Sequence, residues 1–145
     1  MFNSQRGIKS VTDIIEFFVP LFLQRDCYRH WAFGYVNTQE RKIYVFDSLD
    51  SPENFKTAKD RLLLMTNAEF HGSEFECVAV ECPRQENSND CGVFALMFMI
   101  MRSQGKELEE IRPVVQQRYM NYYRQYLALM FINSYRELFF WLIYI

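Results

Sequence analysis

The stretch ECPRQENSNDCGVF, Glu81 to Phe94, changes character at a single residue. Eight polar or turn-forming residues run from Pro83 to Asp90, and beyond Cys91 the chain turns apolar as GVFALMFMIMR, Gly92 to Arg102. A run that is hydrophobic nearly all round reads as a buried helix. A thiol at the start of such a helix faces the positive end of the dipole and backbone N–H groups that have no intrahelical partner. Both favour the thiolate, which is the nucleophilic form. Asp90 opposes this by charge unless it caps the helix. Gly92 carries no side chain and admits the close approach of a substrate backbone. The N–H groups beside Cys91, and the amide of Gln85 six residues earlier, are suited to meet an oxyanion. Free cysteine also serves as a small buried hydrophobe. That reading suits Cys77, inside the alternating FECVAVE of residues 75–81, and Cys82 just after it. Cys27, in the loop QRDCYR, ranks below Cys91 as a candidate nucleophile.

A nucleophilic thiol needs a base, and two strand-like segments upstream offer one. HWAFGYV, His30 to Val36, and RKIYVFD, Arg41 to Asp47, flank NTQE and read as an antiparallel hairpin. Centring the loop between Thr38 and Gln39 pairs Val36 with Arg41, Gly34 with Ile43, Ala32 with Val45 and His30 with Asp47. Directly opposite residues share a face, with Cβ atoms roughly 4.5–5.5 Å apart. This register brings an imidazole and a carboxylate together at the open end, an arrangement that orients the ring and stabilises its cation. A one-residue slip would set the two on opposite faces. The plainer reading makes His30 a strand-end histidine and Asp47 a turn residue of DSLDSPEN.

Around these segments the chain alternates in period. Val11 to Phe18 reads as a short helix running into a strand, and FFVPLFL, Phe17 to Leu23, as a buried strand whose Pro20 marks an edge or a bulge. Ser51-Pro52 signals a helix start, and that helix is expected to end near Met65. Phe75 to Glu81 alternates as a further strand. Arg112-Pro113 marks a break, with a long helix expected from Val114 to Phe140. Strands grouped ahead of helices give an α+β class.

The 145 residues are expected to form one domain, large enough to bury a core without cross-links. A net charge of −2 argues against a nucleic-acid partner. Four cysteines without a C-x-x-C pair, and two distant histidines, give no zinc-ligand spacing, so no metal or other cofactor is expected. The polar start MFNSQRGIKS has no apolar signal region, so the expected place is intracellular, in nucleus or cytoplasm, with reduced thiols. Tyr126 to Ile145 is apolar and helix-length, yet Asn133, Arg136 and Glu137 interrupt it. Charges at a bilayer centre are costly, and Leu138 to Ile145 alone is too short to span, so the segment reads as a core helix with an apolar tail rather than a membrane anchor.

Taken together, His-Trp at 30–31 after a strand of V-P type, Tyr-x-Phe-Asp-Ser at 44–48 and Gln-x-Asn-x-x-Asp-Cys-Gly-Val-Phe at 85–94 resemble the ubiquitin-like-protein proteases. These are the SUMO and NEDD8 proteases, related to the adenovirus protease. The likeness covers about Val11 to Met101, and the last motif is its most specific part. It implies a papain-like α+β fold, with a mostly antiparallel sheet flanked by helices and a His–Asp–Cys triad in that chain order. Cys91 would be the nucleophile, His30 the base and acid, and Asp47 the orienting carboxylate. Gln85 would supply the oxyanion hole, while Trp31 and Gly92 would line the channel for a Gly-Gly tail. The implied reaction is cleavage after the C-terminal Gly-Gly of a ubiquitin-like modifier, SUMO-type first, in precursor processing or deconjugation. Family domains usually carry more chain before the His-Trp strand, with a further tryptophan over the glycine channel. Here 29 residues precede His30 and the other tryptophan is Trp141, so a short or divergent member, or a channel wall supplied by another chain, is expected. The alternatives are a catalytically impaired module that binds the modifier and, more remotely, an acyltransferase on the same fold.

Overall fold

The computed structural model describes residues 14–71 and 74–143, with side chains described as far as Ser134. Val11 to Asp13 of the expected N-terminal helix therefore lie outside the described residues. Ile14 and Ile15 carry no regular structure, and the chain enters strand β1 at Glu16.

Four strands form one sheet in the order β1-β2-β3-β4: Glu16–Arg25, Tyr28–Asn37, Lys42–Phe46 and Glu76–Val80. The first three run antiparallel, and β4 adds parallel to β3. A parallel neighbour needs a crossover, and helix α1, Pro52–Glu69, supplies it. β1 lies at the edge, where Pro20 pairs with Phe33 in an unbroken register. The edge position is the one that tolerates a missing N–H, so no bulge is needed. In β1, Leu21 and Leu23 are buried and Pro20 and Phe22 exposed, while Phe18 on the other face stacks on Phe33 and Tyr35.

The β2–β3 register differs from the expected one. Gly34 pairs with Val45 and Val36 with Ile43. The turn is centred one residue later than NTQE suggests, because the Asn37 carboxamide accepts from the N–H groups of Gln39 and Glu40 at 3.1 and 3.0 Å. Arg41 closes the turn at φ 55°. Moving the centre by one residue moves each partner by two, which preserves every face. His30 and Asp47 are thus diagonal neighbours on one face rather than a directly opposed pair.

Alternation then divides the sheet between two apolar clusters. Ala32, Val36, Ile43 and Val45 pack under α1 with Ala58 and Leu62. Phe33, Tyr35 and Phe46 pack against helix α2, Cys91–Ser103, through Phe94 and Phe98. A Cβ at Gly34 would sit 2.9 Å from a Leu62 methyl, so glycine lets α1 lie close on β2. Ser51 Oγ caps α1 by accepting from Asn54 N–H at 3.3 Å. The buried residues Asn54, Ala58, Leu62 and Thr66 recur at a spacing of four. That stripe continues past Met65, so the helix runs on to Glu69 instead of ending there.

After α2 come a short helix α3, Leu108–Ile111, a 3-10 turn, Gln117–Tyr119, and helix α4, Met120–Ile143. The long helix starts six residues later than Val114. Val115 is fully buried with Ile111, and Gln116 is extended at φ −130° and ψ 156°, which breaks the helical path. α4 touches the core through Met120, Tyr123 and Leu127. Beyond Leu127, Leu129, Met130, Phe131 and Ile132 are exposed. Among the described residues, the expected core helix therefore enters the core only in the first two turns of α4, because the Met120–Leu127 spacing presents one narrow stripe to α2. The side chains of the apolar tail, Leu138 to Ile145, lie outside the described ones. Among the described residues no helix is long and apolar enough to cross a membrane.

Candidate active site

The end of β3 and the loop before α2 run against each other and bring the site together. Gln85 N–H donates to the Ser48 carbonyl at 2.8 Å, and Ser48 Oγ donates to Gln85 Oε1 at 2.6 Å. The Cys82 thiol donates to the Asp47 carbonyl at 3.4 Å. These contacts fix the polar loop to the strand end that carries Asp47.

His30, on β2, is 1% exposed, and its Nε2–H donates to Asp47 Oδ1 at 2.6 Å. The carboxylate is fully engaged. Oδ1 also accepts from Leu49 N–H at 3.0 Å, and Oδ2 accepts from Ser51 N–H and the Asn54 amide, both at 3.0 Å. Burial by itself would push the Asp47 carboxyl up, but these donors, His30 foremost, hold it below the ordinary carboxylate range. It therefore stays an anion beside the ring. Asn54 is in turn set by Tyr28, whose hydroxyl accepts at 2.9 Å, and by an Arg25 guanidinium that donates at 2.9 Å.

With Nε2 committed to Asp47, the other ring nitrogen is left for Cys91. The His30 side chain is the foremost influence that pulls the Cys91 thiol below its ordinary value. Burial opposes the shift, and the N–H groups of Trp31 and Gly92 support it. The imidazole moves the opposite way. Burial favours its neutral form, yet the bonds to Asp47 and Cys91 outweigh that and raise it to about 9. Both shifts favour an imidazolium–thiolate pair near neutral pH, titrating as a coupled unit.

The remaining candidates stand close by. Gln85 is buried, and its Nε2 donates to the Asn87 carbonyl at 2.5 Å, which leaves the second amide hydrogen for another acceptor. Trp31 is 41% exposed and leans on Phe22, with ring centroids 4.9 Å apart. Gly92 lies against it, since a Cβ there would sit 3.6 Å from the indole. Asp90 does not cap α2 with its side chain; it bonds Asn87, Gln117 and Arg124 instead. Of the other thiols, Cys27 is exposed in the β1–β2 turn. Burial pushes Cys77 up, and pushes Cys82 up to about 12. Among the described residues no group of three or more His, Cys, Asp or Glu side chains could hold a metal ion.

Several members of this network are not marked in the sequence as functional. Asn54 was readable as the third residue of the helix begun by Ser51-Pro52, seven residues past Asp47, but its aim at the carboxylate was not. Ser48 looked like a turn residue. Arg124 and Gln117 have no local signal, because the fold alone carries them back over 30 residues to Asp90 and Glu86.

The sequence matches the family model of the Ulp1 protease family, C-terminal catalytic domain, over residues 5–137. It is 25% identical over 110 residues to ubiquitin-like-specific protease 1 of Saccharomyces cerevisiae, covering 72% of this chain and 17% of that protein. The fold is similar to the C-terminal Ulp1 protease domain solved in complex with Smt3, the yeast ortholog of SUMO. That likeness has a TM-score of 0.56 at 22% identity, over 77% of this chain and 54% of the other. A Chaetomium thermophilum Ulp1-like SUMO protease catalytic domain gives a TM-score of 0.50 at 22% identity, over 76% and 46%. The chain thus spans about half of these solved domains and less than a fifth of the yeast protein. The architecture is the papain-like α+β fold of those domains, and with the family match running over residues 5–137, the chain belongs to the Ulp1 protease family.

Proposed function

We propose that this chain is a cysteine protease that cleaves after the C-terminal Gly-Gly of a ubiquitin-like modifier, SUMO-type ahead of NEDD8-type, in precursor processing or deconjugation. The observation that carries this reading is the buried 2.6 Å contact of His30 with Asp47, together with a Cys91 thiol at the start of a buried helix that the same ring pulls below its ordinary value.

The Cys91 thiolate attacks the carbonyl carbon of the terminal glycine, and the carbonyl electron pair moves onto oxygen. The free amide hydrogen of Gln85 and the backbone N–H groups at the head of α2 face the oxyanion, a type of contact in which one donor contributes about 10²–10³-fold. The tetrahedral intermediate collapses as the C–N bond breaks and the His30 imidazolium gives its proton to the departing amine. A thioester remains on Cys91. His30, now neutral, takes a proton from water as the oxygen attacks the thioester carbon. The C–S bond then breaks, returning the thiolate and the imidazolium and releasing the modifier's carboxylic acid, which gives its proton to solvent. Asp47 holds the ring in place throughout and stays ionised. Trp31 and Gly92, which lie against each other beside Cys91, line the approach of the Gly-Gly tail to the sulfur. A thiolate nucleophile, with further free thiols at Cys27, Cys77 and Cys82, suits a reducing intracellular compartment, nucleus or cytoplasm.

Probes made from SUMO, NEDD8 and ubiquitin, each with an electrophile at the C-terminus, test this directly. The expected result is a covalent adduct with the SUMO probe that is absent in Cys91→Ser. Binding without an adduct would leave a noncatalytic module. No interaction of the folded chain with any probe would overturn the assignment.

A further inference from the structure

The Asp90 carboxylate poses a problem that the reaction scheme leaves open. It is 4% exposed and immediately precedes Cys91, where an anion disfavours the thiolate. It does not cap α2. Four groups hold it from three directions. Asn87 and Gln117 each donate a side-chain N–H to Oδ2 at 2.6 Å. Arg124 Nε donates to Oδ1 at 3.0 Å, and a second guanidinium nitrogen closes on the same oxygen. That nitrogen also donates to the Asn89 carbonyl at 2.8 Å. The Gln117 carbonyl oxygen accepts from Glu86 N–H at 2.9 Å, so the segment leading into α4 grips the presenting loop at both ends.

We propose that Arg124, on α4, is a positioning residue for Cys91: through Asp90 it fixes the loop that presents the thiol and neutralises the anion beside it. The inference rests on Cys91 being the nucleophile. Cys91 is faced by His30 from β2, with Asp47 behind it; Asp90, the residue before it, is faced by Arg124 from α4. In the thiolate state three anions, Asp47, Asp90 and Cys91, stand with two cations, His30 and Arg124. Removing Arg124 leaves Asp90 as an unbalanced charge next to the sulfur. Arg124 lies three residues before Leu127 and shares its side of the helix. The same turn of α4 therefore both enters the core and governs the site.

The test reads the thiol rather than any substrate. Iodoacetamide alkylation of Cys91, followed across pH by mass spectrometry of the Cys91 peptide, gives the thiolate pKa in each variant of the full chain. Arg124→Ala should raise it by about one unit. Asp90→Asn combined with Arg124→Ala should return it to the wild-type value, because the anion that needed balancing is gone. Should Arg124→Ala fail to fold, Arg124→Gln, which keeps a donor and drops the charge, must show the same rise. An unshifted profile in the single variant, or an equal rise in the double variant, would overturn the proposal. A chain that cleaves no modifier yet shows the rise and its reversal loses the proposed function and keeps this inference.

Discussion

Cys82 and Cys91 lie nine residues apart on either side of one loop, and both belong to the surroundings of Asp47. They differ in what faces the sulfur. Cys82 points its S–H at the Asp47 main-chain carbonyl, and burial raises it to about 12. Cys91 faces an imidazole whose far nitrogen is held by the Asp47 side chain, together with the N–H groups of Trp31 and Gly92, and it lies below the ordinary thiol value. One aspartate thus borders a thiol that burial keeps protonated and, through its carboxylate, holds the ring that lowers the other. Reactivity follows the donors and acceptors within reach more than depth of burial, which opposes ionisation at both sites.

The most severe way to break the contrast is to remove the imidazole. His30→Ala should make Cys91 resemble Cys82 and lower kcat/KM for a Gly-Gly substrate by about 10³-fold or more, read by steady-state cleavage. Asp47→Asn keeps the shape and removes the charge that holds the ring. A loss of about 10²–10³-fold, with the alkaline limb of the rate profile moving below about 9, is the expected outcome. Gly92→Ala sharpens the comparison from the substrate side. The added methyl finds ordinary contact distance to Trp31, and alanine is the better helix former by roughly 1 kcal/mol. The melting temperature should hold or rise while kcat/KM falls about tenfold, separating room for substrate from room for folding. Cys82→Ala should leave kcat/KM within about twofold and cost about 1 kcal/mol in denaturant melts, as loss of one buried hydrogen bond does.

Stability against pH gives the smallest effect, and its sign is worth working out. A raised His30 value contributes stability that is full below 6.5 and lost as pH rises through about 9. A lowered Cys91 value contributes stability that is present above 9 and lost as pH falls through the folded value. Where pH lies above both 6.5 and the lowered Cys91 value but below about 9, the folded pair and the unfolded pair each hold one proton, on nitrogen in the first case and on sulfur in the second. The pair should therefore add no slope to unfolding free energy across that window, even though the thiolate is formed there.

How much of this was readable in advance depended on how local each determinant is. The helix start at Cys91 and the shared face of His30 and Asp47 follow from period and parity, which survive an error in the turn. The turn centre was not readable, because it depends on the Asn37 side chain bonding two backbone N–H groups within a loop of unremarkable composition. The exposure of Leu129 to Ile132 on α4 was also hidden, since these apolar residues resemble core until the neighbouring surface is known. Asp90 was legible as a charge that works against the thiolate. Its neutralisation by Arg124 was not, because the partner sits 34 residues away and only the fold brings it close.

The central claim is that His30 and Asp47 make a thiolate of Cys91 while Cys82 stays protonated. Site-resolved alkylation of the native chain between about pH 5 and 10 tests it most directly. The expected result is Cys91 reacting well below the ordinary thiol range, its advantage lost in His30→Ala, with Cys82 silent until the chain is unfolded. Equal alkylation profiles for Cys91 and Cys82, or a Cys91 profile indifferent to His30→Ala, would contradict the account.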